Sequence, residues 1–178
     1  MQSPPLRIRS TLVSMTARNI LFEAEIKEPP VPAKLILDRY AVVHWFMDDY
    51  EEGFCLKHAG ENHIYLNRKM VKGRDNYTYG HELGHVVLGH LDYDEKTLTN
   101  SHISKIKREA DYFASCLLMP DEWLYKICDG RHLCLKSLSY LVNKFDVSWE
   151  AMSIRLDQLK ICEHEYIKWM WSNKKGRV

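Results

Sequence analysis

The sequence has almost no net charge. Its 25 lysines and arginines balance 24 aspartates and glutamates, which leaves a formal charge of +1 at pH 7. A protein that binds nucleic acid by neutralising phosphates usually has a basic excess or a basic stripe. The one basic cluster, Lys174-Lys175-Gly176-Arg177, stands near the C-terminal end, where a solvated tail explains it. Direct nucleic-acid binding is therefore not expected.

Cysteine pairs and long apolar runs are also missing. The five cysteines are odd in number and form no C-x-x-C spacing, which argues against a disulfide framework and a structural zinc site. No stretch could cross a bilayer without charges, and the N-terminus has no apolar run of signal-peptide length. These absences predict a soluble cytoplasmic protein with reduced thiols and no membrane partner.

What is present is typical of a globular α+β protein. With 178 residues, of which 46% are hydrophobic, the chain can form one well-packed domain, or one domain with a small appendage. Apolar alternation predicts three strands, and glycine and asparagine between the last two indicate a β-hairpin. We expect a small three-stranded antiparallel sheet at residues 41–46, 53–58 and 63–67, followed by a mainly helical C-terminal part.

Helical periodicity predicts that most of the rest of the chain forms α-helices. The expected helices cover about residues 12–26, 33–40, 77–90, 104–119, 121–128, 133–145 and 148–159. Asp75 or Asn76, Ser104 and Ser148 are the expected N-caps, and the polar residues 91–101 are expected to form a loop.

One helix carries the motif H-E-x-x-H, as His81-Glu82-Leu83-Gly84-His85. Residues four apart lie on the same helix face, so His81 and His85 would present two imidazoles side by side, as a metal ion needs. Glu82 is displaced by one residue, which suits a general base beside the metal. The alternative is a helix that carries these three residues by chance.

A catalytic zinc site needs a third protein ligand, and two places could supply it. A longer metalloprotease pattern continues with a glycine and a histidine, but Gly89 and His90 are displaced from its positions in opposite directions. His90 is therefore a poor candidate, more typical of a helix end where it contacts the last carbonyls.

The second place is Glu109, which lies along the apolar stripe of its helix. A buried carboxylate is costly unless it is paired or metal-bound, so Glu109 either binds the metal or pairs with a cation such as Arg108 or Lys105. Asp111 could contact a ligand imidazole, or form a surface pair with Lys107.

Two signatures together resemble the ImmA/IrrE family of metallopeptidases, whose motif is of the gluzincin type. They are His81-Glu82-Leu83-Gly84-His85-Val86-Val87-Leu88-Gly89-His90, and Glu109-Ala110-Asp111-Tyr112-Phe113-Ala114 followed by Leu117-Leu118-Met119-Pro120. The resemblance extends over roughly residues 16–159. It implies a zinc metallopeptidase domain over residues 1–130 and a packed helical unit with a helix-turn-helix-like segment over residues 131–178.

The resemblance also implies roles for named residues. His81, His85 and Glu109 would bind one zinc ion per chain, with manganese as the alternative ion, and Glu82 would be the catalytic base. Family members with a defined role cleave helix-turn-helix repressors in mobile-element or stress responses, which implies a repressor as protein substrate. An oxyanion donor remains to be found, and the chemically able candidates are Tyr65, Tyr77, Tyr93 and His102.

Two further hypotheses concern partners. The strand over residues 63–67 could expose an edge and bind the substrate peptide by β-augmentation. Residues 138–156 resemble a helix-turn-helix, but the second helix offers one cation, Arg155, so packing or partner contact is the better interpretation. The alternative function is a non-catalytic module that binds a repressor or DNA through this segment. Packing of the helical unit is assigned to Trp149, Met152, Trp169, Met170 and Trp171.

Overall fold

The computed structural model describes residues 4–70, 74–129, 133–163, 165–168 and 172, and it confirms the α+β class. The strands are β1 (Val42–Phe46), β2 (Gly53–His58) and β3 (Glu61–Asn67). The helices are α1 (Ser10–Glu23), α2 (Ala33–Leu37), α3 (Asp75–Val87), α4 (Asn100–Leu118), α5 (Asp121–Cys128), α6 (Leu135–Phe145) and α7 (Trp149–Gln158). Short 3-10 turns cover His90–Asp92 and Glu95–Thr97 between α3 and α4.

The sheet is mixed, so the prediction of a purely antiparallel sheet is wrong for one of its two pairings. Its strand order is β1-β3-β2, with β3 antiparallel to β2 and parallel to β1. The hairpin turn at Ala59 and Gly60, both at positive φ, reverses the chain between β2 and β3. Residues 47–52 connect β1 to β2, which forms the opposite edge of the sheet. The chain then turns back, and β3 lies between β1 and β2.

The central position of β3 overturns another expectation. Both of its edges are paired with neighbouring strands, so residues 63–67 cannot offer a free edge to a substrate. The two edge strands of the sheet are β1 and β2.

The two faces of the sheet differ in burial. Ile64 and Leu66 of β3 are fully buried in the main core, which α1 to α4 share with the sheet. Tyr65 points to the opposite face, where its ring stacks between His44 and Phe54 at centroid distances of 4.6 and 4.7 Å. Strand alternation therefore separates Tyr65 from the helices of the core.

Helices α3 and α4 pack closely and run antiparallel. A Cβ atom on Gly80 would lie 3.2 Å from the Cβ of Ala114, and one on Gly84 would lie 3.1 Å from the Cα of Ala110. The later glycine of α3 thus contacts the earlier alanine of α4, which shows that the two helices are antiparallel. Glycine at these two positions lets the helix backbones approach, and this approach places the α3 histidines against α4.

The starts of these helices differ from the predicted ones. Helix α3 begins at Asp75, and the Asn76 amide bonds the backbone of Val31 and Ala33 at 3.1 and 3.2 Å, tying α3 to α2. Helix α4 begins four residues before Ser104, because Thr99 is its N-cap and the His102 side chain completes a capping box. Polar residues before Ser104 look like a loop in sequence, although they form the first turn of α4.

The C-terminal helices continue the same core. Phe145, Met152 and Leu156 belong to the buried cluster that also contains Leu117 and Met119. Asp146 adopts φ 50° after α6, and the Ser148 side chain caps α7 by accepting from the Ala151 amide at 3.1 Å. No helix of the described ranges is both long and apolar enough to span a bilayer. The predicted boundary at residues 130/131, the packing residues Trp169, Met170 and Trp171, and the basic tail lie outside the described residues.

Candidate active site

Two imidazoles of α3 converge. His81 and His85 lie one helical turn apart, and their Nε2 atoms are 3.2 Å from each other. Burial, followed by the charges of His81, His90 and Lys107, lowers the pKa of His85 to about 2. His85 is therefore neutral at physiological pH, as a metal-binding imidazole must be.

Asp111 supports His81 from behind. Its Oδ1 atom lies 2.8 Å from the Nδ1 atom of His81. A carboxylate in this position accepts the Nδ1–H hydrogen bond, fixes the tautomer and leaves the lone pair of Nε2 free for a cation. Of the two contacts that the sequence allows for Asp111, the structure thus shows the one with the imidazole.

Glu82 is nearly buried, with 5% of its surface exposed, and it lines the cleft beside His81. Burial raises the pKa of its carboxyl group, while the charge of His81, the Cys55 thiol and the charge of Lys107 act against this rise. A carboxylate with a raised pKa at the wall of a cleft can accept a proton and return it, which is the work of a general base.

Glu109 is not brought to the paired imidazoles. Its side chain is fully buried and lies on Arg9, whose backbone nitrogen is 2.6 Å from Oε1 and whose Nη2 atom is 2.6 Å from Oε2. Burial would raise the pKa of Glu109, but the hydrogen bonds from Arg9 and His90 outweigh it and hold the pKa below its usual range. Its role as a metal ligand stays a prediction, and the pairing cation is Arg9 instead of Arg108 or Lys105.

His90 connects Glu109 to the imidazole pair. Its Nε2 atom lies 3.1 Å from Oε2 of Glu109, and its Nδ1 atom lies 3.2 Å from Nδ1 of His85. The sequence predicts that this residue contacts the last carbonyls of α3. The structure buries the ring between two side chains, so Glu109 reaches His85 only through His90 and on its Nδ1 side.

The donor set fits a borderline cation such as zinc in part. Two imidazoles with converging Nε2 atoms are suitable ligands. Within the part of the chain that the structure describes, no group of three His, Cys, Asp or Glu side chains is arranged to hold a metal ion. The structure thus assembles two of the three expected ligands, His81 and His85.

A cleft of about 760 Å³ opens in front of these residues. His81 and Glu82 form part of its floor, and Glu52 and Gly53, at the start of β2, form one rim. Helix α7 forms another wall, to which Glu150 and Ile154 contribute. The opening can therefore take an extended peptide segment that would reach Glu82.

The candidate oxyanion donors are scattered. Tyr77 lines the cleft, but its hydroxyl donates to the carbonyl of Asp111 at 3.1 Å, and burial raises its pKa to about 12. Tyr65 lies on the outer face of the sheet, Tyr93 is buried with its ring 6.2 Å from that of His90, and His102 caps α4. Tyr77 is the candidate that the structure places at the cleft.

A family model matches the part of the chain that contains this site. Residues 38–157 match the model of the peptidase family described as the IrrE N-terminal-like domain (Peptidase_M78). The chain belongs to this family. The IrrE-like match contains the whole sheet, α3 and α4, and therefore the imidazole pair, Glu82 and Glu109; Arg9 and α1 precede it. Membership supports a metallopeptidase-family function.

A solved structure shares the IrrE-like fold. A Mycobacterium tuberculosis transcriptional regulator superposes with a TM-score of 0.63 at 17% identity, over 83% of this chain and 46% of that chain. The chain thus spans less than half of the regulator's length. Among curated protein sequences there is no significant match.

Sequence reasoning missed three residues of the site. Arg9 is 100 positions from Glu109 and left no local signal. Cys55 lies beside Glu82, which strand pairing alone does not indicate. The sequence gives Lys107 only as a surface partner for Asp111, although its charge also acts on His85 and Glu82.

Proposed function

We propose that this protein is a metal-dependent endopeptidase that hydrolyses a peptide bond in a protein substrate. One observation carries the proposal: Glu82 lines the cleft next to two imidazoles whose Nε2 atoms are 3.2 Å apart. His81 and His85 would hold the ion, either zinc or manganese. Glu109 would become the third ligand only if its carboxylate lost its contacts with Arg9 and His90 and bound the ion instead.

The protein's own residues supply proton transfer and orientation. Zinc, when bound, contributes Lewis-acid polarisation of the scissile carbonyl. Glu82 takes a proton from the attacking water and returns it to the leaving amine. Asp111 holds His81 in the tautomer that binds a cation through Nε2.

We propose that the substrate chain pairs with β2. This strand is an edge of the sheet, and Gly53 at its start lines the cleft. An extended peptide can add to such an edge through main-chain hydrogen bonds. Two substrate peptides methylated at alternate backbone amides should then differ in KM; equal KM values would exclude the pairing.

We further propose that the substrate is a helix-turn-helix repressor, as the family resemblance implies. Support comes from the open cleft, which is large enough for a peptide segment. The test is incubation with the repressor encoded beside this protein, with and without chelator, and mass spectrometry of the products. Chelator-sensitive fragments from one bond are expected, and an intact repressor under metal-loaded conditions would contradict the proposal.

A second candidate function is a non-catalytic module that binds a repressor or DNA. The two-imidazole centre favours it, since three ligands do not converge among the described residues. DNA reading by α7 has less support, because Arg155 is 3% exposed and its Nε atom donates to the carbonyl of Met119 at 3.0 Å. Salt-sensitive, sequence-selective DNA binding in a shift assay would favour this module over the peptidase.

A further inference from the structure

One side of α4 forms a wall of the cleft. Its cleft-lining residues are Arg108, Asp111, Tyr112 and Ser115, and their spacing of three, one and three residues places them on one face of the helix. Along α4 the cleft therefore extends from Arg108 to Ser115. Asp111, which contacts His81, lies between these two ends.

Helix α7 lies at the Ser115 end of this wall. The Nε atom of Arg155 donates to the carbonyl of Met119 at 3.0 Å, and its guanidinium lies 5.9 Å from the ring centre of Tyr112. Both contacts are with the C-terminal half of α4 or the residue that follows it, whereas Arg108 is in the N-terminal half. The two ends of the cleft thus differ, because α7 closes one and Arg108 borders the other.

Arg108 is the cation of this cleft that is available to a ligand. The other basic side chains that line it are paired, Arg74 with Glu52 at 3.2 Å and His81 with Asp111 at 2.8 Å. Arg108 is exposed, and its side chain has neither an ion pair nor a hydrogen bond within the described part of the chain. Its guanidinium can therefore bind an anion without breaking an internal contact.

The neighbouring charges on α4 have the same sign. Lys105 and Lys107 lie within one turn of Arg108, and neither forms an ion pair with any residue that the structure describes. The carboxylate next in sequence, Glu109, is fully buried and already bound by Arg9 at 2.6 Å. The positive charge at this end of the cleft is thus not neutralised by the described residues, and it attracts an anionic group.

We infer that Arg108 binds an aspartate or glutamate side chain of the substrate and thereby selects acidic peptide segments for the cleft. This inference rests on the proposed function, because it names a substrate class for the same site. A guanidinium presents a planar fork of donors that matches a carboxylate. Since Arg108 is about 4.5 Å from Asp111 along the helix axis and an extended peptide advances about 3.3 Å per residue, the acidic residue should lie within about three residues of the cleaved bond.

The test uses libraries of decapeptides that carry glutamate, glutamine or lysine at one fixed position and uncharged residues elsewhere. All peptides have the same fluorescent label and an amidated C-terminus, so the libraries differ only in the fixed side chain. Binding is measured by fluorescence anisotropy on full-length Glu82→Gln, in which turnover is suppressed. The glutamate library should bind about tenfold more tightly than the lysine library, as expected for a charge-assisted hydrogen bond.

Substitutions of Arg108 should change this order of affinities. In the same Glu82→Gln background, Arg108→Glu should bind the lysine library more tightly than the glutamate library. Arg108→Lys keeps the charge but loses the fork, so it should retain a weaker preference for glutamate. Lys105→Glu is the matched control, because it makes the same charge change on α4 at a described position that does not line the cleft, and it should keep the original order. Circular dichroism verifies that each variant is folded.

Cleavage provides a second readout. Zinc-loaded protein with Glu82 intact is incubated with each library, and mass spectrometry identifies the fragments. The glutamate library should be cut faster than the lysine library, at a constant distance from the fixed glutamate. Arg108→Glu should cut the lysine library faster.

Three results would overturn the inference: the same order of affinities with Arg108 and with Arg108→Glu, an equal change of that order in Lys105→Glu, or no binding of any library. Preferential binding of the glutamate library without cleavage of any peptide would contradict the proposed peptidase function and leave the role of Arg108 in binding intact.

Discussion

His85 is contacted at both of its ring nitrogens, and the two contacts have different consequences. At Nε2 it meets His81, the other proposed metal ligand. At Nδ1 it meets His90, behind which lie Glu109 and Arg9. The N-terminal segment is thus tied to the site through side chains that no local sequence pattern connects.

Arg9→Met tests the energetic weight of this tie. The substitution leaves the fully buried Glu109 without its main partner, and breaking a buried pair from one side is strongly destabilising. We expect the free energy of unfolding in urea to fall by about 3 kcal/mol. Arg18→Met, which breaks an exposed pair with Asp121, is the control and should cost less than about 1 kcal/mol. Equal losses in the two variants would contradict the account.

The same pair predicts a pH dependence in metal-free buffer. Burial raises the pKa of Glu109, but bonds from Arg9 and His90 lower it further, so the folded-state pKa lies below the unfolded one. The stabilisation is therefore complete above the unfolded value of about 4.3 and is lost as the pH falls through the folded value. The difference in unfolding free energy between the native protein and Arg9→Met should shrink on acidification; a difference that grows would contradict the charged pairing.

At the scale of elements, the packing of α3 on α4 determines the geometry of the site. Gly80 and Gly84 allow the two helices to approach, and their register brings Asp111 to His81. The sheet acts differently, because it buries Ile64 and Leu66 and directs Cys55 towards Glu82.

Gly84→Ala tests this packing. The added methyl group would lie 3.0 Å from Cδ1 of Phe113 and 3.1 Å from Cα of Ala110, so these neighbours must shift by a few tenths of an ångström to make room for it. Overpacking of this kind costs about 1–3 kcal/mol, which exceeds the gain in helix propensity. Gly80→Ala meets its neighbours at 3.2 Å or more and should cost less. Thermal unfolding measures both variants, and a stabilised Gly84→Ala would show that the helices are not in close contact.

The elements that sequence predicts well are those with local signals. Helix α5 matches its predicted range, the β2–β3 hairpin forms, and His81 and His85 are paired as their spacing indicates. What sequence could not predict depends on contacts between distant residues. β1 pairs in parallel with β3 because β3, the last strand in sequence, lies between β1 and β2 in the sheet. The partner of Glu109 is Arg9, which is 100 residues away in the sequence.

At the scale of the whole molecule, the helix-turn-helix-like unit completes the cleft. Helix α7 packs into the same core as the preceding helices and the sheet, and Glu150 and Ile154 line the cleft that Glu82 also lines. Its cation, Arg155, is turned inward to Met119. This arrangement suits contact with a protein substrate better than contact with phosphates.

Ile154→Arg tests that role. Ile154 is 40% exposed on the cleft wall, so the substitution should change unfolding free energy by less than about 0.5 kcal/mol. It should raise KM for the protein substrate, because a charged side chain replaces an apolar contact. Leu35→Arg makes the same change on an exposed position of α2 and is the control. Equal KM values for the two variants would remove α7 from the substrate-binding surface.

The central claim is that Glu82 is the base of a metal-dependent peptidase. Its most direct test is the rate of repressor cleavage by zinc-loaded Glu82→Gln, with zinc content measured in the same samples and Glu122→Gln, at an exposed position of α5 outside the cleft, as the control. The account predicts a loss of about 10²–10⁴-fold with zinc retained, the usual contribution of general acid–base catalysis, and a near-native rate for Glu122→Gln. A Glu82→Gln variant that cleaves the repressor as fast as the native protein would contradict it.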